Sequence, residues 1–251
     1  MKIIVKRCVF IYKTLFPFIC LSTIIYLKNH ILVVSFECFF MMKKKAFIFD
    51  FDGTLAETFP LIFKAMSIAY DSLGLTPPPT ETICANFGPH ELGVLERLNP
   101  DRAEDIFTAY IKATNDIVAR EGLFAFDGIE DLLVHLKSRG MKLALITGKS
   151  KQSLEITLKA IGLNNYFDIL KWGGSQGSIK PQRLREVLDE LGISPEQAYY
   201  VGDSVQDILD CRQVGVDILS AAWADCANIS ELKKHSPFAV VNTVAQLRDY
   251  C

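Results

Sequence analysis

The chain has 251 residues, half of them hydrophobic, and a formal net charge of −2 at pH 7. This length allows one α/β core plus a small accessory unit. The slightly acidic balance argues against nucleic acid as a main partner. Seven cysteines, an odd count without a C-x-x-C pair, predict reduced and mostly structural thiols in a cytoplasmic protein.

The first 42 residues form an apolar N-terminal extension. Residues 9–27 are nearly all apolar with one lysine, and basic residues precede them, which is the pattern of a membrane anchor. No small-x-small site follows, which argues against a cleaved signal peptide. The favoured expectation is that translation begins at Met41 or Met42, shortly before the first core strand. A membrane anchor through residues 9–27 is the alternative.

Residues 46–55, Ala-Phe-Ile-Phe-Asp-Phe-Asp-Gly-Thr-Leu, predict a strand buried on both faces. Because side chains alternate along a strand, Asp50 and Asp52 are expected on one side, with Phe49 and Phe51 on the other. Two carboxylates at the carboxyl end of a central strand lie where open α/β sheets bind ligands. Without a cation or a reaction they would be costly to bury, although a plain Asp-Gly turn is the simple alternative.

The segment from residue 57 to residue 126 has helical patterns throughout. Residues 57–73 place apolar side chains on one face of a helix, and a Pro-Pro-Pro run interrupts the pattern. Helices resume near Glu81, His90 and Asp101, the last running to Arg120. The stretch 86–90 is a possible substrate loop, with Phe87, Gly88, Pro89 and His90 as candidates; a plain turn is equally compatible.

Three later strand ends carry polar residues. Residues 141–146 end at Thr147 and Gly148, where a hydroxyl and free amides before a helix form an anion site. Lys180 opens the next helix ahead of a proline. The strand at 198–201 leads to Asp203, with Asp207 one helical turn further on.

Each of these residues has a simple structural explanation when taken alone. Thr147 and Asp203 are compatible with helix caps, Asp207 with a first-turn carboxylate, and Lys180 with an exposed lysine. Their order along four successive strand ends favours one shared crevice instead. Strand–helix alternation with glycine after the helices predicts a doubly wound, Rossmann-like parallel sheet, an α/β fold.

These motifs resemble those of the haloacid-dehalogenase-like (HAD) hydrolase superfamily, in its phosphoglycolate-phosphatase-like branch. The similarity runs from about Lys43 to the C-terminus. It implies a HAD core domain in residues 43–56 and 127–251. It also implies a small all-helical cap domain in residues 57–126, which closes over the crevice and supplies substrate contacts.

The resemblance implies a role for each of the first catalytic residues. Asp50 is expected to be the nucleophile that forms an aspartyl-phosphate, and Asp52 the general acid and base. Thr147, with the amide of Gly148, is expected to hold the phosphoryl oxygens. Lys180 is expected to offset negative charge on the nucleophile and the phosphoryl group.

The resemblance also implies a Mg²⁺ cofactor. Its ligands are expected from Asp50, Asp203 and the backbone carbonyl of Asp52, and Asp207 is expected to support them. Such hard oxygen ligands suit Mg²⁺ rather than Zn²⁺.

The expected activity is that of a Mg²⁺-dependent phosphatase acting on a small phosphorylated metabolite such as 2-phosphoglycolate. Dehalogenase relatives lack an aspartate at the position of Asp52, which favours phosphate chemistry. A phosphosugar mutase of the β-phosphoglucomutase kind, a pyrophosphatase and a non-catalytic binding module are the alternatives. Two departures from the family pattern are Gly148, where many relatives have asparagine, and Gln182, where many have proline.

Overall fold

The structure is a computed structural model that describes residues 4–11, 18–27, 30–40, 43–88, 90–175, 179–225 and 227–251, with the backbone alone before residue 43. The chain divides into two compact units, Met1–Lys43 and Lys44–Cys251. The finer division into core and cap domains stays a prediction.

The first unit contains three antiparallel strands in the order β1-β2-β3. They are β1 (Ile4–Ile11), β2 (Phe18–Leu27) and β3 (His30–Phe40). The described part of residues 9–27 is therefore strand, and the membrane anchor there stays a prediction. Across the described ranges, no helix combines the length and apolarity needed to cross a bilayer. Met41 and Met42 lie outside the described residues, so the expected translation start stays a prediction.

The second unit is built on six parallel strands in the order β6-β5-β4-β7-β8-β9. The strands are β4 (Ala46–Phe49), β5 (Lys142–Ile146), β6 (Ile169–Lys171), β7 (Ala198–Gly202), β8 (Asp217–Ala221) and β9 (Ala239–Val241). The first of them, β4, pairs with β5 on one side and with β7 on the other. The order reverses beside β4, so the crevice at its carboxyl end is the expected ligand site.

Helices cover both faces of this sheet. Phe47 and Phe49 pack with α5 (Ile129–Ser138) and α6 (Lys151–Ala160). Ala46 and Ile48 face the other way, toward α7 (Lys180–Leu191), α8 (Val205–Val214) and α9 (Ile229–Lys234). All four residues of β4 are fully buried, as a strand covered on both faces requires. The predicted doubly wound α/β fold is confirmed.

Four helices are inserted between β4 and α5: α1 (Phe59–Ser72), α2 (Thr80–Ala85), α3 (Glu91–Leu98) and α4 (Ala103–Glu121). They share their own apolar cluster, in which Met66, Leu95, Ile106 and Tyr110 are almost completely buried. The face predicted for the first helix is the buried one. We call these four helices and the turns between them the helical insertion.

The last forty residues differ most from expectation. The chain continues past β8 through α9, β9 and a 3-10 helix (Val244–Tyr250), a region for which the sequence pattern predicts no element. Earlier in the chain, β6 begins only at Ile169, because the amide of Tyr166 closes a turn onto the carbonyl of Leu163. These elements are too short to give a periodic signal.

Candidate active site

The carboxyl ends of β4, β5 and β7 bring the predicted residues together. Asp50 follows β4, Thr147 follows β5 and Asp203 follows β7. The three strands are direct neighbours, and the amide of Asp50 donates to the carbonyl of Val201 at 2.8 Å. The expected shared crevice therefore exists.

Lys180 lies between two of the predicted carboxylates. Its Nζ is 2.7 Å from Asp50 Oδ2 and 2.6 Å from Asp207 Oδ1. Burial alone would lower the pKa of Lys180, but Asp207 and Asp50 raise it well above its ordinary value. The side chain is therefore a fixed positive charge, and it is not the exposed lysine that its residue type alone suggests.

Asp50 itself is buried beside other acids. Burial, together with the neighbouring Asp207 and Asp52 and against the opposing effect of Lys180, raises the pKa of Asp50 to about 7. The amide of Phe51 donates to its Oδ1 at 2.7 Å, so both carboxylate oxygens have a protein partner. The carboxylate is thereby held in one orientation.

Asp50, Asp203 and Asp207 form a potential metal site, since each offers an oxygen within 4.8 Å of the others. Burial, then Asp50 and Asp207, raise the pKa of Asp203 well above its ordinary range. Carboxylates so crowded need a cation to remain ionised together, and an all-oxygen set suits a hard divalent ion. The residues present therefore fit Mg²⁺.

Asp207 and Asp203 are placed by the start of α8. Ser204, not Asp203, is the helix cap: its Oγ accepts from the amide of Asp207, and Asp207 accepts from the amide of Ser204. Similarly, Ser150 and not Thr147 caps α6. The two capping explanations considered from the sequence are thus wrong, and Asp203 is available to the crevice.

Asp52 points to a different set of partners. Its Oδ1 lies 2.9 Å from Nζ of Lys149 and accepts a hydrogen bond from the Thr58 hydroxyl. Its carboxylate is not part of the three-carboxylate cluster. The participation of its backbone carbonyl in metal binding stays a prediction.

Gly53 makes the turn that separates Asp50 and Asp52 from the helical insertion. Its φ is +68°, a left-handed conformation that favours glycine. A Cβ there would lie 2.2 Å from Oδ2 of Asp203. The Asp-x-Asp-Gly sequence therefore needs its glycine for both conformation and space.

The loop after β5 lies beside these acids. Thr147 is buried, and its Oγ1 accepts from the amide of Lys149 at 3.2 Å, while Gly148 and Lys149 line the crevice. Gly173 packs against this loop so closely that a Cβ would lie 2.3 Å from the carbonyl oxygen of Gly148. The roles of Thr147 and Gly148 in holding phosphoryl oxygens stay predictions.

The crevice is a cavity of about 490 Å³ between the sheet and the helical insertion. Its floor is mostly charged: Asp50, Asp52, Gly148, Lys149, Lys180, Asp203, Ser204 and Gln206. Its roof is mostly apolar: Phe59, Ile62, Met66, Phe87, Gly88, Glu91, Val94 and Arg97. We use floor and roof for these two sets of residues.

The possible substrate loop contributes only in part to the cavity. Phe87 and Gly88 line the roof, and Phe87 remains 40% exposed. His90 caps α3 with its Nδ1, and its amide donates to the carbonyl of Gly174 at 3.0 Å. Pro89 lies outside the described residues.

Three charged cavity residues were not expected from the sequence: Lys149, Glu91 and Arg97. Lys149 follows directly on the anion-site pair Thr147-Gly148, and that position was a usable signal. Glu91 and Arg97 carried no signal, because a charged residue on a short helix is ordinarily solvent-exposed. Only the fold brings them to the crevice.

The fold and this set of carboxylates and lysines are typical of a class of hydrolytic α/β enzymes. Residues 47–221 match the family model described as haloacid dehalogenase-like hydrolase. The chain belongs to this family, and it is a phosphatase of that family. The family expected from the motifs is confirmed.

Individual relatives agree with this assignment. A phosphoglycolate phosphatase from Psychrobacter arcticus is 30% identical over 227 residues, covering 83% of this chain and 96% of that protein. The pyrophosphatase PpaX of Bacillus cereus is 26% identical over 184 residues, covering 72% of this chain and 85% of that protein.

Solved structures show the same fold. CbbY from Rhodobacter sphaeroides in complex with phosphate superposes with a TM-score of 0.69 at 22% identity, covering 81% of this chain and 96% of that one. A haloacid dehalogenase-like hydrolase from Streptococcus pneumoniae superposes with a TM-score of 0.68 at 24% identity, covering 82% of this chain and 98% of that one.

Proposed function

We propose that this protein is a Mg²⁺-dependent phosphatase that hydrolyses a small phosphomonoester through an aspartyl-phosphate at Asp50. One observation carries the proposal. A single cavity contains an oriented aspartate paired with a lysine, two members of a three-carboxylate cluster, and a further aspartate held separately from that cluster. A nucleophile, a cation site and an acid are the parts that this chemistry needs.

The first step transfers the phosphoryl group to the protein. An oxygen of Asp50 attacks phosphorus, the bond from phosphorus to the ester oxygen breaks, and Asp52 gives its proton to that oxygen, which leaves as an alcohol. In the second step, water attacks the phosphorus of the aspartyl-phosphate and gives a proton to Asp52. Inorganic phosphate leaves, and the Asp50 carboxylate is restored.

The charges of the floor support these steps. Lys180 contacts Asp50 directly, so it neutralises negative charge where the phosphoryl group arrives. Asp50, Asp203, the carbonyl of Asp52 and the supporting Asp207 would hold Mg²⁺. When bound, the ion neutralises phosphoryl oxygens and orients them for in-line attack.

The roof favours an organic substrate that carries a second negative group. Its apolar side chains suit carbon rather than a second phosphate, and a 490 Å³ cavity exceeds the needs of an inorganic ion. Arg97 lines the same cavity and, among the described residues, forms no ion pair with an acid; its guanidinium makes a 3.4 Å hydrogen bond to the carbonyl of Asn86. A carboxylate-bearing phosphomonoester such as 2-phosphoglycolate fits this combination.

Hydrolysis of pyrophosphate is the second candidate, favoured by the relatives named pyrophosphatase PpaX. It requires the same floor but no apolar roof. Comparing kcat/KM for pyrophosphate with that for 2-phosphoglycolate distinguishes the two activities. We also propose a cytoplasmic location, supported by the free thiols of Cys84, Cys211 and Cys251.

The test is a screen of phosphorylated metabolites and p-nitrophenyl phosphate with Mg²⁺, measuring phosphate release by protein that begins at Met42. We expect activity that is abolished by EDTA and by Asp50→Asn. Asp71→Asn, on an exposed part of α1, is the control and should be fully active. Full activity of Asp50→Asn would remove the aspartyl-phosphate from the proposal, and transfer of phosphate back to a sugar would indicate a mutase.

A further inference from the structure

Lys149 is a buried lysine that has no role in the two proposed steps. Only 3% of the residue is exposed, and Asp52 is the only acid within ion-pair distance of its Nζ in the part of the chain that the structure describes. The same Nζ lies 5.6 Å from the centre of the Phe51 ring. Burying an ammonium group costs free energy unless the group is paired. The pairing of Lys149 with Asp52, the expected acid, therefore needs an explanation.

The contact is directed at one oxygen of the acid. Lys149 and the Thr58 hydroxyl both engage Oδ1 of Asp52, while no described residue donates a hydrogen bond to Oδ2. Two donors on Oδ1 leave Oδ2 as the oxygen that can carry a proton. They also fix the rotation of the carboxyl group, so Oδ2 has one defined direction.

The backbone around Lys149 is fixed from both sides of the cavity. The carbonyl of Lys149 accepts from the amide of Gly173 at 2.8 Å. The amide of the next residue, Ser150, donates to Oε2 of Glu91 at 2.6 Å, and the Ser153 hydroxyl donates to the other oxygen of Glu91. Glu91 belongs to α3, so the helical insertion helps to hold the loop that carries Lys149.

We infer that Lys149 is a positioning residue for Asp52, an inference that rests on the proposed function. It holds Oδ1 so that the proton on Oδ2 faces the ester oxygen. During the first step that proton moves to the leaving oxygen as the phosphorus–oxygen bond breaks, and the carboxylate that remains stays bound to Lys149. Lys149 itself neither loses nor gains a proton in this step.

The test compares two substrates whose leaving groups differ in their need for a general acid. Phenyl phosphate releases a strongly basic phenolate, whereas the similarly shaped p-nitrophenyl phosphate releases a weakly basic one that departs without a proton. The measured quantity is kcat/KM, which reports only the steps through leaving-group departure. Lys149→Met should lower kcat/KM about 30-fold for phenyl phosphate but less than about 3-fold for p-nitrophenyl phosphate, as loss of acid positioning requires.

Two further variants complete the design. Lys151→Met, an exposed lysine on the adjacent helix, should leave both values unchanged. Asp52→Asn should show the same selective loss as Lys149→Met, and a larger one. If Lys149→Met does not fold, Lys149→Gln replaces it with the same expected order.

The outcomes separate the positioning role of Lys149 from the acid role of Asp52 in the proposed function. Equal losses on both substrates, or no loss, with Lys149→Met would overturn the positioning role while a selective loss in Asp52→Asn leaves the proposed function intact. If Asp52→Asn shows no selectivity either, the acid role of Asp52 fails, and with it this part of the proposed function.

Discussion

The floor and the roof of the cavity are built in opposite ways. On the floor, the charged side chains form ion pairs. Lys180 pairs with Asp50 and also with Asp207, which lies outside the floor set, and Lys149 pairs with Asp52. The roof presents mostly apolar side chains, together with Glu91, which binds the loop after β5, and one arginine that pairs with no acid among the described residues. Fixed charges suit a reaction that is the same for every substrate, whereas adaptable apolar contacts suit recognition. Changes to Lys180 or Asp50 should therefore affect the rate with all substrates, and changes to the apolar side chains of the roof or to Arg97 should affect the choice among them.

The largest effect is expected from the floor. Lys180→Met should lower kcat about 10³-fold for every substrate, because it removes the charge beside the attacking oxygen. Steady-state rates on 2-phosphoglycolate and p-nitrophenyl phosphate measure this. Lys171→Met is the matched control, since Lys171 also pairs with two acids, Glu186 and Glu190, but does not line the cavity. A loss confined to one substrate would contradict the division between floor and roof.

The floor should also affect stability through pH. Native Asp50 keeps its proton to about pH 7, whereas the unfolded chain releases it near the ordinary value of 3.8. The native state therefore binds more protons between these values, and the contribution of Asp50 to stability is complete below pH 3.8 and lost as pH rises through 7. In EDTA, the free energy of unfolding of the wild-type protein should fall between pH 3.8 and about pH 7. This fall should exceed that of Asp50→Asn by at most about 4 kcal/mol.

Urea unfolding at several pH values measures this difference between the two proteins. Added Mg²⁺ should raise the stability of the wild-type protein near pH 7, because a bound cation favours the ionised carboxylates. Parallel pH profiles for the wild type and Asp50→Asn would show that Asp50 is not the group responsible.

The roof predicts an effect on selection rather than on rate. Arg97→Met should raise KM for 2-phosphoglycolate about 10-fold, the value of one modest charge-assisted contact, and leave kcat nearly unchanged. The KM for p-nitrophenyl phosphate, which has no second anionic group, should not change. Arg102→Met is the control, because Arg102 is paired with Asp105 and does not line the cavity. A fall in kcat on both substrates would place Arg97 in the chemistry instead.

The smallest effect is expected where the two sides meet. Glu91→Gln keeps the shape of the contact with Ser150 but weakens it, so kcat/KM should fall about 5-fold, and more for phenyl phosphate than for p-nitrophenyl phosphate. Glu96→Gln, an exposed residue of the same helix, should have no effect. An equal effect of the two substitutions would show that the contact between α3 and the loop after β5 is unimportant.

The floor was largely predictable from the sequence and the roof was not. Asp50, Thr147 and Asp203 follow buried strands, and parallel strands bring their carboxyl ends to one edge, so periodicity alone places these residues together. Arg97 and Glu91 reach the cavity through the packing of the helical insertion, which no local pattern encodes. The described N-terminal strands and the C-terminal elements were missed for a related reason. An apolar run fits strand or helix equally, and very short elements carry no period.

The turn at Gly53 has a consequence for redesign of the site. An oxygen of Asp203 occupies the volume in which any other amino acid would place its first side-chain carbon. Mutagenesis of position 53 would therefore disturb the carboxylate cluster and the backbone at once. Attempts to redesign the proposed metal site should start from Asp203 or Asp207 and leave that glycine untouched.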